Sequence, residues 1–403
     1  MTDATRAETT AEPWPAACSR VVFLVTRTPT MDGLNTVLRA LTGELTKRGV
    51  AVEFISTWPG RGRRLGRTLT IDQRESWHLG PVFRGVGRGK WRLHNLPLVA
   101  IKRVDRWLSN HTLRRTVRSY GPETLLVFTN VRAKTRFDQA GAGRRRNGPL
   151  WIGQHHSSFE SVAASAPAVD ETQRHFADLD AFVALTQEDA AGFATLLPSV
   201  RCVAIGNPLP VGTYPASSRR PIAIALGRYS PEKQLDLMIE VFLEATAIPN
   251  LRHWQLHLYG EGYDEDRLRR IVGTSDPSGR VQLRGRVDDV GTVTSTASVH
   301  LLTSQFEGWG MCIVEAALSA VPTIAFDCAP GVREVIGRSA GTLVPPDDRI
   351  AFTRHLRASL LDASLLQRQG EEARRHVAQY ETGLIVDRWG WLVRACLDER
   401  PVQ

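Results

Sequence analysis

Short apolar runs alternate with helix-like stretches along almost the whole of this chain, and that alternation admits few folds. In the first half the runs are Val21–Val25, Ala51–Ser56, Leu125–Thr129, Leu150–Gln154 and Ala181–Leu185. In the second they are Pro221–Leu226, Trp254–Tyr259, Val281–Leu283, Val299–Thr303 and Thr323–Phe326. Between them lie helical patterns such as 34–48, which Gly49 should stop, 236–247 and 311–320. Strand-then-helix repetition of this kind predicts parallel sheets covered by helices. A chain of 403 residues is too long for one small core and divides in two. The break is expected at Gly206-Asn207-Pro208-Leu209-Pro210, where prolines suit a linker. The expected class is therefore α/β, with two doubly wound domains facing each other across a cleft. Their expected bounds are 19–207 and 208–384, after a polar tail of residues 1–18. A terminal helix in 385–403, amphipathic and carrying Trp389 and Trp391, is expected to pack back on the first domain. Residues 60–95, rich in Arg and Gly, read as an insertion with no secure element.

Composition narrows the setting. Apolar content of 42% and charged content of 23% fit a soluble globular protein. No apolar run approaches the ~20 residues of a membrane helix, and the first 18 residues lack the apolar core of a secretory signal. Five cysteines, an odd number without metal-type spacing, read as reduced thiols in a cytoplasmic protein. The net charge of +9 is unevenly spread. Residues 61–118 hold 15 Lys and Arg against Asp72, Glu75 and Asp105, a local excess of +12, and Arg144-Arg145-Arg146 adds to the same half. One reading is a solvated basic face. The other is an anionic partner, either a phosphate-bearing acceptor or the acidic inner leaflet of a membrane. No zinc finger or aromatic RNA-binding motif accompanies the basic run, so nucleic acid is not expected.

The residues with the most chemistry lie in Ser304-Gln305-Phe306-Glu307-Gly308-Trp309-Gly310-Met311-Cys312-Ile313-Val314-Glu315-Ala316. A helix starting near Met311 places Glu315 one turn inside it and Glu307 on the loop feeding its N-terminus. Gly308 and Gly310 let backbone amides approach a ligand, and the helix start offers unpaired N–H groups with a partial positive charge. Carboxylates that accept from hydroxyl pairs, beside donating amides, suit a sugar-phosphate. The plain alternative is a loop–helix junction whose glutamates face solvent. A second loop, Gly227-Arg228-Tyr229-Ser230-Pro231-Glu232-Lys233, follows directly on a strand, where open α/β sheets bind ligands. Arg228 as a planar fork and Lys233 as a point charge would straddle two phosphates. His155 and His156 end a strand in the first half, where a histidine can exchange a proton with a bound group. The first turn, with Gly33, is too poor in glycine for a dinucleotide fingerprint. Asp264 with Asp266, Asp288-Asp289 and Asp347-Asp348 read as turns or caps, so no metal site is expected.

Taken in order, Leu226-Gly227-Arg228, Pro231-Glu232-Lys233, Leu258-Tyr259-Gly260-Glu261-Gly262, Leu283-Arg284-Gly285 and the Glu307…Glu315 pair resemble the retaining glycosyltransferases of family 4, which have the GT-B fold. Gln154-His155-His156-Ser157-Ser158-Phe159, Leu185-Thr186 and Ile205-Gly206-Asn207-Pro208 fit the same pattern. The resemblance spans roughly residues 19–395 and is sparse between about 58 and 120. It implies a hexose or N-acetylhexosamine carried on a nucleotide, UDP being expected, and a hydroxyl acceptor such as an anionic polymer or a lipid-linked glycan. It implies that Glu315 accepts the ribose hydroxyls and that Glu307 contacts the sugar with the amides of Gly308, Trp309, Gly310 and Met311. It implies that Arg228 and Lys233 neutralise the departing diphosphate, that His156 faces the reacting centre and that Gly33 lies near the phosphates. Arg284 to Val287 would hold the nucleobase through backbone groups. No cofactor or metal is implied. The first loop departs from the family in carrying Asp32-Gly33 where many relatives pair glycines, and Gly310 and Cys312 are unusual choices. Two competing expectations are a nucleotide-sugar epimerase on the same scaffold and a non-enzymatic basic binding protein with a decayed donor site.

Overall fold

The computed structural model describes residues 14–26, 33–56, 67–70, 107, 109–214 and 218–400. Most of the basic stretch 61–118 lies outside these. The described chain forms two units: residues up to His156 with Ser165–Ile205 and the segment from Thr382, and Ser157–Ala164 with Gly206–Glu381.

The first unit holds a seven-stranded sheet. Its strands are β1 (Arg20–Val25), β2 (Ala51–Ser56), β3 (Arg67–Thr70), β4 (Thr124–Phe128), β5 (Leu150–Gln154), β6 (Ala181–Ala184) and β7 (Arg201–Ala204). They run in the order β3-β2-β1-β4-β5-β6-β7, and every pairing is parallel. Both faces of such a sheet are covered, so the central strands are apolar throughout; all five residues of β4 are buried. The helix Gly33–Lys47 ends where Gly49 takes φ +79°, a left-handed stop that glycine adopts without strain. Phe128, Phe137 and Trp151 meet edge-to-face, with ring centroids 5.0 to 5.8 Å apart. Against them lies Lys134, 1% exposed and held by Asp138 at 2.7 Å and Asp178 at 2.9 Å. The helix Thr382–Asp398 belongs to this unit, where Arg48 bonds Asp387 and the Gly383 carbonyl.

The second unit holds six parallel strands: β8 (Ile222–Leu226), β9 (Gln255–Tyr259), β10 (Val281–Gly285), β11 (Val299–Leu302), β12 (Thr323–Phe326) and β13 (Gly341–Val344). The order is β10-β9-β8-β11-β12-β13. The chain winds outward from β8 in one direction and from β11 in the other, so β8 and β11 are neighbours whose connections leave to opposite sides. That is the switch point at which doubly wound sheets open a crevice beyond their strand ends. Its core includes Tyr229, Phe242, Leu258, Leu301, Phe326 and Phe352, all under 2% exposed.

Three strands escape the sequence reading. β7 and β13 are four residues each, one led by Arg201 and the other by Gly341, too short and polar to stand out. β3 falls within 60–95, where no element was expected; it exists because β2 offers it a parallel partner from Glu53 to Ser56. All five cysteines are free. No helix among the described residues is long and apolar enough to cross a membrane.

Candidate functional site

The loops after β8 and β11 meet at the switch point of the second unit. After β8 the chain makes a single 3-10 turn, Pro231–Lys233, and Gln234 then takes φ 47°, ψ 44°, a left-handed conformation that costs a non-glycine residue free energy. Hydrogen bonds from the β11 loop hold it there. Thr303 Oγ1 donates to the carbonyls of Lys233 and Gln234 at 3.0 and 3.1 Å, and the Gln305 amide donates to the Glu232 carbonyl at 2.8 Å. Tyr229 supports the loop from below. It is 0% exposed, and its hydroxyl donates to the Leu258 carbonyl at 2.7 Å. The glycines of Tyr259-Gly260-Glu261-Gly262 have a purely steric cause. A Cβ on Gly260 would lie 1.7 Å from the Gly227 carbonyl oxygen, and one on Gly262 2.1 Å from that of Tyr229. The β9 loop therefore braces the backbone that carries Arg228.

This scaffold brings Lys233 and Glu307 together. Lys233 Nζ lies 2.5 Å from Glu307 Oε1, and Ser304 Oγ donates to the same oxygen at 2.9 Å. Burial pushes the Lys233 ammonium down, but the Glu307 carboxylate outweighs it and holds the pKa above the usual value, so Lys233 stays charged. Arg228 is exposed beside it, and a small pocket is lined by Gly227, Arg228, Lys233, Thr303 and Ser304, among others.

Glu315 is different. It lies one turn inside the helix Met311–Leu318, is half-buried, and makes no hydrogen bond or ion pair among the described residues. Burial pushes its carboxyl up to about 7. A carboxylate desolvated without a partner is a candidate for function, because a ligand that donates to it recovers the lost stabilisation. The helix begins after Gly310, whose φ of +74° needs a glycine; a Cβ there would sit 2.7 Å from Ile313 Cδ1. Trp309 is buried, so only its backbone can face a ligand. Near the end of β10 the Arg284 guanidinium donates to Gln282, Gly285 ends the strand with φ +69°, and Val287 is half-buried in the loop beyond.

His156 and Gly33 belong to the first unit. Gly33 is the exposed first residue of its helix. His156 follows β5, with Nε2 buried and without a hydrogen-bond partner. Burial, and then the charge of His155, push it down to about 3, so it is a neutral imidazole. Its neighbour His155 packs on Phe193 with centroids 5.5 Å apart. The paired aspartates act as the sequence suggests: Asp289 and Asp348 cap helices through the amides of Thr292 and Ala351.

Sequence reasoning passes over Thr303 and Tyr229, whose only signal is a hydroxyl at a strand end, and over Tyr214. The Tyr214 phenol is pushed up by burial first and then by the charges of Glu315 and Asp289, which places it within electrostatic reach of Glu315.

A half-buried cation–carboxylate pair, an exposed arginine and an unpaired carboxylate thus surround the ends of β8 and β11. Residues 213–376 match the Glycosyl transferases group 1 family. The matched segment contains every candidate site residue of the second unit. Among curated proteins, an exopolysaccharide phosphotransferase of Streptomyces coelicolor is 30% identical over 231 residues, 55% of this chain and 24% of that one. A poly(ribitol-phosphate) alpha-N-acetylglucosaminyltransferase of Staphylococcus aureus is 21% identical over 238 residues, 58% of this chain and 48% of that one. The chain thus spans about half or less of these relatives. Among solved structures, the Anabaena HepE protein, determined with UDP and glucose, superposes with a TM-score of 0.67 at 16% identity, covering 94% of this chain and 99% of that one. At that identity the likeness speaks for the fold, and the fold is GT-B.

Proposed function

We propose that this chain is a glycosyltransferase that moves a hexose or N-acetylhexosamine from a nucleotide sugar, UDP-linked, to a hydroxyl acceptor with retention of configuration. The observation that carries the reading is the Lys233–Glu307 pair at the switch point, with Arg228 beside it and the unpaired Glu315 one turn into the next helix. In the reaction the bond from the anomeric carbon to the diphosphate breaks, and the acceptor oxygen takes its place. The acceptor proton leaves to the diphosphate or to water. Positive charge grows on the sugar and negative charge on the leaving oxygen. At an effective dielectric near 20, one charge ~4 Å away is worth about 4 kcal/mol, the order of what a preorganised cation supplies to a transition state.

Each residue then has a task. Arg228 and Lys233 receive the diphosphate charge. Glu315 accepts the ribose hydroxyls. Glu307, held by Lys233 and Ser304, accepts from the sugar hydroxyls, and the amides of Gly308 to Met311 donate to them. The neutral imidazole of His156 is suited to accept a hydrogen bond from the transferred group. Arg284 to Val287 offer backbone groups to the base. The basic first half, and a relative whose name specifies poly(ribitol-phosphate), favour an anionic polyol-phosphate or lipid-linked acceptor.

A thermal-shift panel of nucleotide sugars tests the reading. One nucleoside diphosphate and its hexose conjugate should raise Tm, and the conjugate should be slowly hydrolysed without acceptor. A protein that no member of the panel stabilises or is hydrolysed by would not be a glycosyltransferase. Because two side-chain cations serve the diphosphate, hydrolysis should persist in EDTA. Its abolition by chelator, with rescue by Mg²⁺, would show that a metal shares their work.

A further inference from the structure

Trp309 stands in the middle of the loop that presents the Gly308–Met311 amides, yet its side chain is 2% exposed. It packs edge-on against Tyr380, with centroids 5.0 Å apart and planes at 83°. Gly206 presses on the same indole: a Cβ there would lie 2.6 Å from Cη2 and 2.8 Å from Cζ2. On the other side of the loop, a Cβ on Gly331 would fall 2.1 Å from the Gly308 carbonyl oxygen and 2.9 Å from Trp309 Cα. The wall behind Trp309 is also particular. The chain passes between the two units after Ile205 and again after Glu381, so Gly206 and Tyr380 lie beside two of its crossings. The Leu209 amide ties these segments by donating to the Tyr380 carbonyl at 2.9 Å. The indole Nε1 is buried without a hydrogen-bond partner, so shape alone holds the ring.

We propose that the Trp309 side chain is a positioning residue for the transferred-sugar subsite: wedged between Gly206 and Tyr380, it fixes the loop whose amides meet the sugar. The inference rests on the glycosyltransferase reading. It concerns only the sugar half of the donor, because Arg228 and Lys233 stand on the β8 loop, which Thr303 and the β9 loop brace, and Glu315 stands a turn inside the helix. Losing the wedge should therefore weaken a nucleotide sugar more than the bare nucleotide. A merely structural tryptophan would lower Tm and leave that ratio alone.

The test is calorimetric titration of the full chain with UDP, UDP-glucose and UDP-N-acetylglucosamine. For the conjugate that wild type binds, Trp309→Leu should lower the affinity ratio of conjugate to UDP at least tenfold, with UDP itself changed less than threefold. Trp309→Phe, which keeps an aromatic ring beside Tyr380 but lacks the far indole carbons that meet Gly206, should lower the ratio less than Trp309→Leu does. Gly206→Ala, whose methyl displaces the indole while Trp309 remains, should reproduce the loss and serves if the leucine variant does not fold. An unchanged ratio in folded Trp309→Leu or Gly206→Ala, or equal weakening of UDP and conjugate, overturns the inference while the glycosyltransferase reading stands. Failure of wild type to bind any of the three ligands removes both.

Discussion

Lys233→Ala should lower turnover by about 100- to 1,000-fold, the scale seen when one preorganised donor to a developing anion is removed. Lys233 has an effect of this size because its charge is already in place: Glu307 holds the ammonium at 2.5 Å and keeps it protonated despite burial. The variant also strands Glu307, whose side chain is only 11% exposed, so some loss of stability is expected alongside the loss of rate. The double variant Lys233→Ala with Glu307→Gln separates the two. It should recover most of the lost Tm because no buried charge is left unpaired, yet stay inactive because the leaving group still lacks its cation. Donor-hydrolysis kinetics and melting curves on the same preparations decide it. Near-wild-type turnover in folded Lys233→Ala, or recovery of rate in the double variant, would remove Lys233 from the chemistry. Arg228→Ala should give a comparable loss of rate with little change in Tm, since that side chain is exposed.

The second unit is far more legible in the sequence than the first, for a physical reason. Strands β8 and β9 are apolar runs followed by glycine, β11 is an apolar run, and the site residues sit within a few positions of strand ends, so finding β8 and β11 finds Arg228, Lys233 and Glu307. Helix placement is equally readable: Met311 does begin the helix, with Glu315 one turn in. What the sequence hides is the contact between loops 70 residues apart. The Lys233–Glu307 pair and the bonds from Thr303 to the Lys233 and Gln234 carbonyls exist only because β8 and β11 are neighbours. Sheet order is a tertiary property that no local pattern encodes. β3, β7 and β13 are hidden for a related reason, being strands of four residues whose existence depends on a partner edge more than on their own propensity. The basic run 61–118 is the plainest feature of the composition, and most of it lies outside the described residues.

Glu315→Gln should move stability and binding in opposite directions. Burial raises the Glu315 carboxyl from 4.5 to about 7, so the fold prefers the protonated form. The stability this lends is full below pH 4.5 and is lost as pH rises to about 7; above that the fold carries a desolvated charge without a partner. Glutamine is uncharged at every pH and should raise Tm at pH 8 while changing it little at pH 5. Binding runs the other way. A ribose donates two hydroxyls to the ionised carboxylate, and charge-assisted bonds of this kind are worth about 1.5–3 kcal/mol. The variant should therefore bind UDP about 10- to 100-fold more weakly at pH 8. Wild-type affinity should rise between pH 5.5 and 8 as Glu315 ionises. Part of that rise belongs to the diphosphate, which titrates in both proteins, so the pH dependence of the wild-type to variant ratio isolates Glu315. Melting curves and UDP titrations at pH 5 and pH 8 read both effects. A Glu315→Gln protein that melts lower at pH 8 would mean the carboxylate has a partner in the fold. One that binds UDP as tightly as wild type would mean ribose is held elsewhere. Gaining stability while losing ligand is the signature of a charge kept buried for binding.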